Sequence, residues 1–111
     1  MVTRKALKTL IESFIQDLEA AGYQPMRVVL FGSYAKGKPN IHSDIDLAVW
    51  DDRFTGCGTV DIAPIASIVS KYPRLELHPF GLDDAPETNP FVGEVLKHGI
   101  QIEQLESHFK M

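Results

Sequence analysis

Residues 28–50 narrow what this chain can become more than any other stretch. Val28, Val29, Leu30 and Phe31 form a short apolar run that ends at Gly32-Ser33. After ten intervening residues, a second run from Asp44 to Trp50 opens with two aspartates separated by one residue. β-Branched and bulky apolar residues bounded by a glycine predict a short buried strand. Gly32, with no Cβ, lets backbone N–H groups come close to a ligand, and Ser33 adds a hydroxyl where a short helix, Tyr34 to Lys36, is expected to begin. Exposed N–H groups at such a start attract anions, phosphate above all.

In the second run Asp44, Asp46, Ala48 and Trp50 fall on one face of a strand and Ile45, Leu47 and Val49 on the other. Both carboxylates therefore point the same way. Two unit charges about 4 Å apart repel by roughly 1 kcal/mol in water and about 4 kcal/mol at an effective dielectric near 20, so the pair calls for a counter-ion. Oxygen ligands favour Mg²⁺ or Mn²⁺, and Mg²⁺ is usually held by one or two carboxylates together with substrate phosphates. Four fixed residues at ~5–7% usage each would match by chance on the order of once per thousand chains of this length. Here the glycine turn also ends a strand and the Asp-x-Asp pair begins one, which is the setting such a motif requires.

Phe-Gly-Ser-Tyr-Ala-Lys-Gly at 31–37 followed by Ser-Asp-Ile-Asp-Leu at 43–47 resembles the signature of the minimal nucleotidyltransferases, small members of the DNA polymerase β-like nucleotidyltransferase superfamily. The likeness extends over nearly the whole chain in its order of elements. Its specificity rests on residues 31–49.

The rest of the chain sets the frame. At 111 residues and 44% hydrophobic content, a single domain spanning 1–111 is expected. A charged amphipathic pattern starts directly after Met1, with no signal segment and no apolar run long enough to span a membrane, so the cytoplasm is the expected compartment. Cys57 is the only cysteine, which excludes an internal disulfide and fits a reducing environment. A formal net charge of −4 argues against nonspecific nucleic-acid binding, which depends on Lys and Arg neutralising phosphates, yet it leaves room for one nucleotide with its metal ions.

Leu7, Leu10, Ile11, Phe14, Ile15, Leu18 and Ala21 recur at helical spacing and predict a first helix over residues 3–21, capped by Thr3 and stopped by Gly22. A strand is expected from Arg27 to Phe31, and residues 36–40 read as a loop. Residues 51–58 read as a loop free to move, with Asp51 and Asp52 as an acidic tip about 20 Å along the strand from Asp44. A helix is expected over 61–71, with Pro64 tolerable only in its first turn. Leu75 and Leu77 alternate with Glu76 and His78, which predicts a strand from Arg74 to Phe80, and Pro79 suits an edge strand or a strand end. Asn89-Pro90 opens a last helix that Gly99 ends, and residues 100–105 are expected to add a short strand with Ile100 and Ile102 packed inward.

This order predicts an α/β fold, a mixed β-sheet packed with helices. The resemblance implies the nucleotidyltransferase fold. It further implies that Asp44 and Asp46 hold two Mg²⁺ ions, that Glu76 on the following strand is the third acidic residue of the metal site, and that Gly32, Ser33, Lys36 and Ser43 face ATP or another NTP. His78 shares the Glu76 face, where it can orient Glu76, touch a substrate or serve structure alone; His42 reads as a loop residue. The activity so implied is transfer of a nucleoside monophosphate, AMP from ATP, onto an acceptor hydroxyl. Larger relatives carry a further domain for base or acceptor, and minimal ones are commonly paired with a small helical HEPN protein as antitoxin and toxin. A HEPN side chain is therefore the expected acceptor, and a homo-oligomer stays open. Two alternatives remain: a catalytically idle subunit that binds nucleotide or masks its partner, and a small-molecule enzyme acting on an aminoglycoside.

Overall fold

Leu7, Ile11, Phe14 and Leu18 lie on one side of helix α1 (Arg4–Ala20) and are all almost fully buried. Thr3 caps this helix, its hydroxyl accepting from Ala6 N at 3.1 Å. A computed structural model describes residues 3–102. Within them strands β1 (Arg27–Phe31), β2 (Ile45–Trp50), β3 (Leu75–Phe80) and β4 (Ile100–Gln101) form one sheet in the order β3-β2-β1-β4.

The sheet is mixed. β1 runs antiparallel to both β2 and β4, while β2 and β3 are parallel. Parallel neighbours need a crossover, supplied here by α2 (Gly58–Ile62), a 3₁₀ turn (Ala63–Ile65) and α3 (Ala66–Val69). The period-2 alternation of the strands sorts side chains onto two faces. Val28, Leu30, Ile45, Leu47, Val49, Leu75 and Leu77 pack with the α1 stripe and Ile65 in the larger core. Val29, Ala48, Trp50 and Phe80 pack on the other face against Val92 and Val95 of α4 (Pro90–His98). Each such buried aliphatic or aromatic side chain contributes about 1.5–3 kcal/mol. On this second face Phe31, Asp46, Glu76 and His78 follow at the end where burial gives way to solvent.

Several elements differ from the sequence reading. Tyr34 to Lys36 is not a helix but a run of turns closed by Lys36 N on Gly32 O at 3.1 Å and Lys38 N on Ser33 O at 3.0 Å. Pro39, with no N–H to offer, cannot extend it. The crossover helix begins at Gly58, earlier than expected, and Pro64 breaks it into the 3₁₀ turn and α3. β2 begins at Ile45, so Asp44 stands just before the strand. Pro79 does lie on an edge strand, and Ile100 is buried with Ile102 packed against the larger core. Residues 103–105 of the expected last strand fall outside the described residues.

The loop over 51–58 is tied down by two buried carboxylates. Asp51, no acidic tip, is fully buried and accepts from Gln24 N and Arg53 N, each at 2.8 Å. Asp61 accepts from Thr55 N at 2.8 Å, Thr55 Oγ1 at 3.0 Å and Gly56 N at 2.9 Å. Phe54 is buried between them, its ring 5.4 Å from that of Tyr23.

Candidate active site

Phe31 pairs with Asp46 at the end of the antiparallel ladder, and the chain turns at the next residue. Gly32 has φ +76°, a conformation that costs any residue with a Cβ. A Cβ there would also overlap Asp46 Oδ2 and come within 3.2 Å of Asp46 Cγ. The glycine turn therefore lies directly against the second aspartate of the Asp-x-Asp pair. Ser33 Oγ donates to Ser43 Oγ at 3.4 Å, and Ser43 Oγ also accepts from Asn40 N at 2.8 Å. Ser43 is buried, so this contact joins the turn to the residue preceding Asp44. Lys36 is exposed and lines a cleft of about 140 Å³ with Gly32, Phe31, Phe91, Glu94, Val95 and His98.

The parallel register places Asp46 beside Glu76 and Ala48 beside His78. Oxygen or nitrogen atoms from Asp46, Glu76 and His78 all lie within 4.8 Å of one another, a set that a cation can bridge. His78 Nε2 is 3.4 Å from Asp46 Oδ1. Burial pushes the Glu76 carboxyl above its ordinary value; its hydrogen bond with Asp46 and the negative charges of Asp46 and Asp44 push the same way, while His78 opposes them. Glu76 keeps solvent access, which screens the effect without reversing it. Carboxylates that repel one another with one imidazole beside them fit a divalent cation, by charge and by donor chemistry.

Asp44 is exposed and stands outside this convergent set, though its charge reaches Glu76. His42 is exposed in the loop, its N–H on Asn40 Oδ1 at 2.8 Å. Sequence reasoning overlooked Arg74, whose Nη2 donates to Ile41 O at 2.9 Å and Ser43 O at 3.3 Å and so fixes the approach to Asp44. Its place two residues before Glu76 was the available signal. Phe91, near the start of α4, is 43% exposed and packs near His78 and Phe31. A second cleft of about 310 Å³ opens on the Glu76 side, lined by Gly56, Gly58, Glu76, His78, Phe80, Asn89 and Phe91 among others.

Residues 11–106 match the family model described as Polymerase beta, Nucleotidyltransferase. The chain belongs to that family. As a nucleotidyltransferase it carries the implication of an NTP substrate and a divalent metal. Its fold is similar to that in a crystal structure of a toxin-antitoxin with AMP-PNP, with 21% identity, TM-score 0.56, and coverage of 86% of this chain and 71% of that one. It is also similar to a protein of Sulfolobus solfataricus provisionally assigned as a nucleotidyltransferase, with 19% identity, TM-score 0.54, and coverage of 88% and 80%. No curated protein matches the nucleotidyltransferase significantly. Among its described residues no helix is long and apolar enough to cross a membrane.

Proposed function

We propose that this nucleotidyltransferase moves AMP from ATP onto a side-chain hydroxyl of a HEPN-type partner, and so acts as the antitoxin of a toxin-antitoxin pair. The observation that carries the reading is the convergence of the Asp46 and Glu76 carboxylates directly beside the Gly32 turn. The structural similarity to a toxin-antitoxin containing AMP-PNP supports the choice of partner and nucleotide. The reading takes residues 1–111 as one cytoplasmic domain; the free, exposed Cys57 is compatible with a reducing compartment.

In this reading the turn at Gly32 and Ser33 holds the β and γ phosphates, with Lys36 and Ser43 at its margins. Asp44, Asp46 and Glu76 are the residues that would hold two Mg²⁺ ions. Mg²⁺ supplies the positive charge that offsets what builds up on the attacking and leaving oxygens. The acceptor oxygen bonds to the α-phosphorus as the bond to pyrophosphate breaks, and the hydroxyl proton passes to the Glu76 carboxylate.

A second reading, an idle subunit that masks its partner by contact, is favoured by one observation: Asp44 lies outside the convergent set. The two readings separate when α-labelled ATP and Mg²⁺ are given to the chain with its co-expressed neighbouring gene product. Label on the partner that disappears in Asp44→Asn/Asp46→Asn supports transfer. Absence of label, with the wild type and the double variant binding the partner equally well, establishes masking instead.

A further inference from the structure

His78 is the one member of the convergent set that does not supply oxygen. Its Nε2 lies 3.4 Å from Asp46 Oδ1, and with Glu76 the three donors fall within 4.8 Å of each other. The ring packs against a pair of phenyl rings that also touch each other, with Phe31 at 4.8 Å and 65° and Phe91 at 5.8 Å and 49°. Beside it in the parallel ladder, Ala48 offers only a methyl group, so its neighbour across the ladder adds no bulk between the imidazole and Asp46. Glu76 and His78 are two residues apart on β3 and share a face, so both reach the same point in space.

We propose that His78 is itself a metal ligand, its Nε2 joining the carboxylates of Asp46 and Glu76 in a mixed nitrogen and oxygen site that favours Mn²⁺ over Mg²⁺. The inference rests on the metal-binding part of the reading above. Mg²⁺ is a hard ion that prefers oxygen and keeps much of its water. Imidazole suits first-row transition ions, and Mn²⁺ accepts it together with carboxylates. A neutral ring protonated at Nδ1 leaves the Nε2 lone pair free for the ion. The aromatic contacts with Phe31 and Phe91 keep the imidazole in place before an ion arrives, which lowers the entropy lost on binding.

A purely structural His78 would donate a hydrogen bond to Asp46 and never touch the ion. The two cases differ in a property independent of catalysis. Mn²⁺ is titrated into the full chain, and electron spin echo spectra are recorded for the wild type, His78→Gln and His78→Phe. The Phe variant preserves the ring packing. Coupling of the Mn²⁺ electron spin to ¹⁴N is expected in the wild type and is lost in both variants. Competition between the two ions should show the Mn²⁺ preference falling by about tenfold or more, since even outer partners of a metal act on that scale. Wild-type Mn²⁺ binding that Asp46→Asn abolishes, but without nitrogen coupling or with an unchanged Mn²⁺ to Mg²⁺ ratio in the His78 variants, overturns the inference and leaves the metal reading standing. A wild type that binds no Mn²⁺, alone or with nucleotide, overturns both.

Discussion

Replacing Gly32 with alanine separates two effects that the turn combines. The first is conformational: at φ +76° a Cβ costs on the order of 1–2 kcal/mol of stability. The second is local, because the added methyl overlaps Asp46 Oδ2, the end of a side chain that can move while the backbone stays. Relieving the overlap shifts the carboxylate by about 1 Å, enough to cost on the order of 10²-fold in rate at a site that depends on position. Gly37 supplies the control. It also has positive φ, +71°, but a Cβ there meets nothing within 4 Å. Gly37→Ala should lose similar stability in urea denaturation and keep wild-type nucleotidyl transfer, whereas Gly32→Ala should lose both transfer and divalent-ion affinity. Equal activity losses in the two variants, or full activity in Gly32→Ala, would refute the argument that the glycine exists to make room for Asp46.

Three further outcomes follow from individual contacts. Glu76 is protonated more readily in the folded chain than in the unfolded one, so unfolding free energy falls as pH rises through the window from 4.5 to the raised folded value. Glu76→Gln should therefore melt above the wild type at pH 7 in EDTA and, on the proposed metal reading, gain less from added Mg²⁺ than the wild type does; a lower melting temperature in EDTA would contradict this. Tyr72 OH donates to Asp17 Oδ2 at 2.6 Å, which lowers the Asp17 pKa and pushes Tyr72 up to about 12. The stability advantage of wild type over Tyr72→Phe should be level at neutral pH, shrink as pH drops below the ordinary Asp value of 3.8, and shrink again between the ordinary Tyr value of 10.0 and about 12, as followed by denaturant midpoints. Asp61→Ala leaves Thr55 N and Gly56 N without their acceptor and should cost about 3 kcal/mol, with faster proteolysis within 51–58; a loss under about 0.5 kcal/mol would mean that the loop is held by something else.

Much of the fold was legible because its signals are local. The spacing of Leu7, Ile11, Phe14 and Leu18 identifies α1, and the alternation of Leu75, Glu76, Leu77 and His78 identifies β3, without reference to the rest of the chain. Gly32 and Asp46 were visible as a pair because motif spacing constrains them. The meeting of Asp46 with Glu76 was not, since it depends on which strand the crossover returns beside and in what register. Only resemblance pointed to Glu76. Asp51 and Asp61 look like surface residues by type, and only folded backbone amides reveal them as acceptors. His78 was noticed on the Glu76 face, but its approach to Asp46 follows from the same register.

β3 lies at the edge of the sheet, with β2 as its only strand partner among the described residues. Glu76 and His78 are thus contributed by an edge strand, after the turn and Asp-x-Asp have already come earlier in the chain. On this geometry the meeting of Asp46, Glu76 and His78 is a late product of assembly. A chain whose β1 and β2 have paired but whose crossover has not docked holds the glycine turn against Asp46 and still lacks Glu76 and His78. In the proposed reading divalent-ion affinity then serves as a reporter of the finished sheet, and an agent that peels away this outer strand would scatter the donors and open both cores, which lose Leu75, Leu77 and Phe80 with it.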